Sequence, residues 1–98
     1  MNMREIQKMQ QKLVKMQEEL ENSQFTGTAG GGAVTITMSG KYEITAVKID
    51  PEAFSPEDIE ELEVMVKAAA KDAFDRVTEA QQRLVSSATG GIKIPGLF

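Results

Sequence analysis

No histidine, cysteine or tryptophan occurs among the 98 residues, and the aromatic side chains are one tyrosine and four phenylalanines. Without imidazole or thiol, general-base catalysis by histidine and nucleophilic catalysis by thiolate are absent. The missing cysteines also exclude a disulfide scaffold and a thiolate zinc site, and they suit a reducing cytosol. Ser23, Ser39, Ser55, Ser86 and Ser87 each fall at an expected turn or helix end, with no base nearby in sequence. The residues therefore predict a chain that is not an enzyme and takes no cofactor. The first residues, Met-Asn-Met-Arg-Glu, lack the apolar core of a signal peptide, and no apolar run approaches membrane-spanning length. A soluble, cytoplasmic chain with no membrane partner is the expectation. Ninety-eight residues fit one domain with no internal repeat, small enough that stability can depend on a partner.

What charge there is, is unevenly spread. The formal net charge is -4, which by itself argues against nucleic acid. Residues 1–16, however, carry Arg4, Lys8, Lys12 and Lys15 against Glu5, and residues 76–98 carry Arg76, Arg83 and Lys93 against Glu79. The acids gather in Glu18, Glu19 and Glu21 and in the run from Glu52 to Asp75. Both ends of the chain are basic and its middle is acidic.

The pattern of apolar residues divides the chain into helix, sheet and helix. Ile6, Met9, Leu13, Met16 and Leu20 are spaced 3, 4, 3, 4, a heptad seam that predicts a helix over 3–23, on the order of 30 Å long. Gln24 to Ala29 is a weaker strand candidate, followed by Gly30-Gly31-Gly32. In 33–39, Val34, Ile36 and Met38 alternate with Thr35, Thr37 and Ser39, the period-two signature of a strand with one buried face. Ser39-Gly40-Lys41 reads as a tight turn with Gly40 in the left-handed conformation. The return strand, 42–49, changes phase between Ile44 and Val47, which predicts a bulge near Thr45-Ala46. Pro51 keeps Asp50 extended, and Ser55-Pro56-Glu57-Asp58 marks a helix start by cap, first-turn proline and acidic first turn. The apolar stripe Ile59, Leu62, Val66, Ala69, Ala73, Val77, Ala80 and Leu84 carries that helix over 56–88, with Thr89-Gly90-Gly91 as its stop and a tail over 89–98.

The result is one α+β domain over 1–98: a long N-terminal helix, a three-stranded antiparallel sheet and a long C-terminal helix. A helix of roughly 50 Å exceeds a compact body of this size, whose radius of gyration is near ~13 Å. It must project as an arm beside the first helix or be covered by a second copy, so a homodimer is expected. The first helix runs towards the sheet and the second away from it. Packed antiparallel, they bring residues 1–16 and 76–98 to the same far tip, where the basic segments meet.

Other motifs have plainer readings. Gly30-Gly31-Gly32 precedes a strand, whereas a phosphate-binding loop needs Gly-Lys-Ser/Thr opening a helix, so these glycines read as a turn. Glu57, Asp58, Glu60, Glu61 and Glu63 suit the first turns and solvated face of a helix and lack the spacing of a calcium loop, so no metal site is expected. Met3, Met9, Met16, Met38 and Met65 fall mostly on apolar faces as adaptable packing. Arg4, Lys8 and Lys12 recur every fourth residue with Lys15 adjacent, forming one stripe. Such a stripe, joined by Arg76, Arg83 and Lys93, suits salt-sensitive contact with phosphates that carries little sequence information.

Taken together, Met9 to Leu20, Gly30 to Met38, Gly40-Lys41-Tyr42, Val47 to Pro51, Ala68 to Ala73 and Thr89-Gly90-Gly91 followed by Pro95 to Phe98 resemble the YbaB/EbfC family of bacterial nucleoid-associated proteins. The resemblance covers nearly the whole chain. It implies a tweezer-like homodimer of helix, three strands and helix, and a cytoplasmic, nucleoid-associated protein that binds duplex DNA without enzymatic activity. It further implies a role in chromosome organisation or gene regulation. Binding attributed to protruding helical arms maps onto Arg4, Lys8, Lys12, Lys15, Arg76 and Arg83; Lys93 enters from the charge argument alone. The alternative from the residues is a dimeric scaffold whose Met-lined helical seam binds another protein. No small-molecule substrate is expected.

Overall fold

Val34, Ile36 and Met38 are all but inaccessible to solvent, and the chain folds so that one long helix covers them. A computed structural model describes residues 2–88. Its elements are α1 (Met3–Glu21), β1 (Gln24–Ala29), β2 (Val34–Ser39), β3 (Ile44–Ile49) and α2 (Ile59–Ala88), with short 3-10 turns at Gly30–Gly32 and Pro56–Asp58. The strands form one antiparallel sheet in the order β1-β2-β3. The fold is α+β, as the periodicities predict.

α2 lies across β1 and β2. Ala69, Ala73 and Val77 are fully buried against Val34, Ile36 and Met38, with Phe25, Phe54, Leu62, Met65 and Val66 packed around them. The small residues set the distance. At Gly27 a side chain would collide with the backbone of α2 at Ala69 and Ala73, so glycine on the strand and alanine on the helix let the two backbones touch. The contact is pinned at the side by the Thr28 N–H, which donates to the Asp72 carboxylate at 3.0 Å.

β3 is different. Its residues pair Met38 with Ile44, Ile36 with Val47 and Val34 with Ile49, so the apolar trio shares the face that α2 covers elsewhere. α2 stops short of it, and Ile44, Val47 and Ile49 remain 54%, 52% and 40% exposed. Thr45 is the extra residue in the pairing, between Thr37–Ala46 and Met38–Ile44, which is the bulge that the change of phase demands. The opposite face, with Thr26, Thr28, Thr35, Thr37 and Lys48, is the polar side expected of a sheet packed on one face.

The β2–β3 turn corrects one expectation. Gly40 is not the left-handed residue; Tyr42 is, at φ 64°. The loop therefore runs to Glu43 and β3 begins at Ile44 rather than Tyr42. The phenol compensates for the strained backbone: its ring lies 4.8 Å from that of Phe74, and its hydroxyl shares a 2.8 Å hydrogen bond with Thr78. Gly40 is needed for another reason. A Cβ there would strike the Leu20 carbonyl, so the missing side chain admits the base of α1 against the turn. The Gly40 N–H donates to the Ser23 carbonyl and its own carbonyl accepts from the Gln81 side chain, at 3.2 and 3.1 Å. Sheet, α1 and α2 are tied together there.

The end signals act as their chemistry suggests. Asn2 caps α1 by accepting from the Glu5 N–H at 2.9 Å. The Asp58 carboxylate accepts from the Ser55 N–H and hydroxyl, at 2.9 and 2.8 Å, and holds the Pro56 turn from which α2 starts. These donors keep the Asp58 carboxyl below its ordinary pKa. Gly30, Gly31 and Gly32 all take positive φ in the β1–β2 turn. The longest dimension is 65 Å and the radius of gyration 18.2 Å, well beyond the ~13 Å of a compact chain this long.

Candidate nucleic-acid interface

The excess length is an arm. Beyond Gln81, which is still tied to the sheet, α2 continues alongside α1. Leu13, Val14 and Gln17 of α1 line an open groove with Leu84 and Val85 of α2. Ser87 is level with Met9, Lys12, Leu13 and Met16. The helices are antiparallel, as the chain order predicts, and α1 carries the arm outward from Leu20 to Met3.

Arg4, Lys8, Lys12 and Lys15 lie on this arm, all exposed, and none is in an ion pair among the described residues. The fourfold spacing keeps Arg4, Lys8 and Lys12 on one side of α1 over about 12 Å of helix. Glu5 is the one acid among them; Glu18, Glu19 and Glu21 follow at the base.

The two arginines of α2 are placed differently. Arg76 is not at the tip. It stands beside the sheet, between Asp72, which holds the Thr28 N–H, and Thr78, which holds Tyr42. Eleven residues, or about 16 Å of helix, separate it from Ser87. Its guanidinium is 3.3 Å from the Asp72 carboxylate, whose pKa is lowered by the Thr28 N–H and further by Arg76. Arg83 lies on the shaft of the arm and meets Glu79 at 2.6 Å. The expectation that residues from 76 onward share the tip fails at Arg76 for a geometric reason: the first half of α2 is spent covering the sheet. Lys93 lies outside the described residues.

Asp50, Glu52, Glu57, Asp58, Glu60, Glu61 and Glu63 occupy the opposite end of the molecule, with no basic residue between them in sequence. They do not converge: no three acidic, histidine or cysteine side chains among the described residues could share a metal ion. No helix among the described residues is long and apolar enough to cross a membrane. The basic residues of α1 thus lie on its outer part, before Glu18, and a run of acids lies around the start of α2.

One exposed surface was not legible from the residues, the bare β3 strip of Ile44, Val47 and Ile49. Its apolar residues fall on the core face of the sheet, and only the span of α2 over two strands shows that nothing among the described residues covers it.

Comparison with known proteins agrees with the architecture. Residues 1–92 match the YbaB/EbfC DNA-binding family. A nucleoid-associated protein of Pelotomaculum thermopropionicum is 44% identical over 96 residues, covering 98% of this chain and 91% of that protein. One of Clostridium acetobutylicum is 44% identical over 94 residues, covering 96% and 84%. The crystal structure of an uncharacterised protein from Helicobacter pylori superposes with a TM-score of 0.73 at 22% identity, covering 92% of this chain and 99% of that one, and shares the fold. The chain belongs to the YbaB/EbfC DNA-binding family.

Proposed function

We propose that this protein is a homodimeric, non-enzymatic clamp for duplex DNA, held on the nucleoid in the cytoplasm and serving chromosome organisation or gene regulation. The observation that carries the reading is the arm: four exposed cations on α1, free of ion pairs among the described residues, on a helix that projects past the sheet. The family and the nucleoid-associated relatives support DNA as the partner. Lysine and arginine on such an arm neutralise phosphates and release counterions, an affinity that is strong in low salt and indifferent to sequence. Arg83 adds to the stripe when its exchange with Glu79 opens, since such exposed pairs are weak. Arg76 serves mainly to hold Asp72.

The bare apolar strip on β3 supports the dimer. A second copy that brings its own β3 against this edge covers Ile44, Val47 and Ile49 of both chains and satisfies the unpaired strand edge. Two arms then project from a common sheet in a tweezer-like outline, with up to eight α1 cations for one duplex.

The test is fluorescence anisotropy of a labelled duplex across a salt series. Each phosphate contact contributes about -0.9 to the slope of log K against log salt. Lys8→Glu/Lys12→Glu removes two contacts per arm, so the slope should become shallower by about 2 to 4 units, according to whether one or two arms engage. Absence of binding by the wild-type protein even at low salt, or an unchanged slope in the variant, would sink the clamp.

A further inference from the structure

The apolar seam of α1 is only half used. Met16 and Leu20 are partly buried at the base of the arm. Further out, Met3, Ile6, Met9 and Leu13 remain 71%, 37%, 47% and 37% exposed. A heptad seam on a solvated helix end is costly to leave bare.

The end of α2 indicates what covers it. Ser87 already shares a concavity with Met9, Lys12, Leu13 and Met16. Because α2 runs towards the tip there, its last turn, at Ser87, lies level with the inner end of the bare seam. The sequence that follows is Thr89-Gly90-Gly91-Ile92-Lys93-Ile94-Pro95-Gly96-Leu97-Phe98, with four large apolar side chains and a single charge. We propose that residues 92–98 dock along the outer seam of α1 of the same chain, with Ile92 and Ile94 towards Met9 and Leu13, and Leu97 and Phe98 towards Ile6 and Met3.

The lengths agree. From Leu13 to Met3 the seam is about 15 Å long. Seven residues reach ~23 Å when extended, and Pro95-Gly96 can take up the slack in a turn. Gly90 and Gly91 leave that path two residues that can turn at little steric cost. Tethering explains why so small a patch suffices. Four side chains are a poor site for a free partner, but a segment leaving the same groove is present at an effective concentration in the millimolar range. The contact is apolar, so it persists in salt that dissociates DNA, and it carries Lys93 to the outer arm.

The absence of native cysteine makes the test clean. Ile6→Cys/Leu97→Cys is compared with Gln7→Cys/Leu97→Cys, Gln7 lying on the face of α1 shared with Gln10, Gln11 and Lys15. Oxidation is followed in mixed isotope-labelled chains, at low and at high salt. The Ile6 pair should close within one chain at least about tenfold faster than the Gln7 pair at both salt concentrations. Equal rates, or disulfides chiefly between chains, would overturn the proposal. A second variant ending at Gly91 is read by hydrogen exchange: amides from Met9 to Leu13 should exchange about tenfold faster than in the full chain, while β2 is unchanged. Unchanged protection in α1 would count against it as well.

Discussion

Gly27→Ala is the sharpest single test of how the arm is mounted. A methyl group at Gly27 would meet the carbonyl of Ala69 and the amide nitrogen of Ala73, and would lie 2.9 Å from the Ala73 Cα. Ordinary carbon contacts are ~3.5–4.0 Å, so α2 must withdraw by on the order of 1 Å. All three obstacles are backbone, which no rotamer change can relieve. A gap of that size forfeits roughly a quarter to a half of the dispersion energy across the contact. That contact includes Val34, Ile36, Met38, Ala69, Ala73 and Val77. Overpacking of this kind costs ~1–3 kcal/mol, and here the upper end applies. Alanine restricts the unfolded chain and returns about 0.5–1 kcal/mol, leaving a net loss of about 2 kcal/mol. Thermal unfolding at fixed protein concentration should show Tm lower by about 8–16 °C. Gly31→Ala is the comparison. Its Cβ meets nothing within 4 Å, and only the φ of 67° opposes it, for about 1 kcal/mol. A Gly27→Ala protein that melts within about 2 °C of wild type, or above Gly31→Ala, would refute the close seating of α2 on β1.

Val47→Asp places a charge in the bare β3 strip; sedimentation velocity should show the wild type as a dimer and the variant shifted towards monomer, whereas two equally dimeric proteins would move the interface elsewhere. Asp72 has a folded pKa below its unfolded value, so its contribution to stability is complete above the unfolded pKa and disappears as pH falls through the folded one. Asp72→Asn should therefore melt below wild type at neutral pH, with the gap closing in acid; a gap independent of pH would mean the Thr28 contact does not depend on the charge. Tyr42→Phe keeps the ring beside Phe74 and deletes the hydrogen bond to Thr78. Its urea midpoint should fall by the equivalent of ~0.5–1.5 kcal/mol, and an unchanged midpoint would show that the ring alone holds the turn.

Much of this molecule is legible from the residues because its local signals agree with one another. Ile6 to Leu20 could be nothing but a helical seam, and Val34, Ile36 and Met38 alternate without ambiguity. The change of phase before Val47 locates the bulge, because side-chain direction in a strand has a period of two and only an extra residue can shift it. The basic stripe on α1 is likewise written in its spacing. Composition excludes histidine and thiol chemistry at once.

Three features were settled only in three dimensions. The strained position of the β2–β3 turn fell to Tyr42 because Phe74 and Thr78, more than thirty residues away, hold its ring and hydroxyl, while Gly40 was reserved for the close approach of Leu20. Arg76 came to rest beside the sheet because α2 spends its first half on β1 and β2, a length that charge clustering along the chain does not measure. Ile44, Val47 and Ile49 lie on the core face of the sheet yet stand exposed, since hydrophobic alternation states which face a side chain takes and not whether a helix is wide enough to cover it. Periodicity is a local property of the chain, whereas coverage depends on how many strands one helix can span, and that is decided by packing.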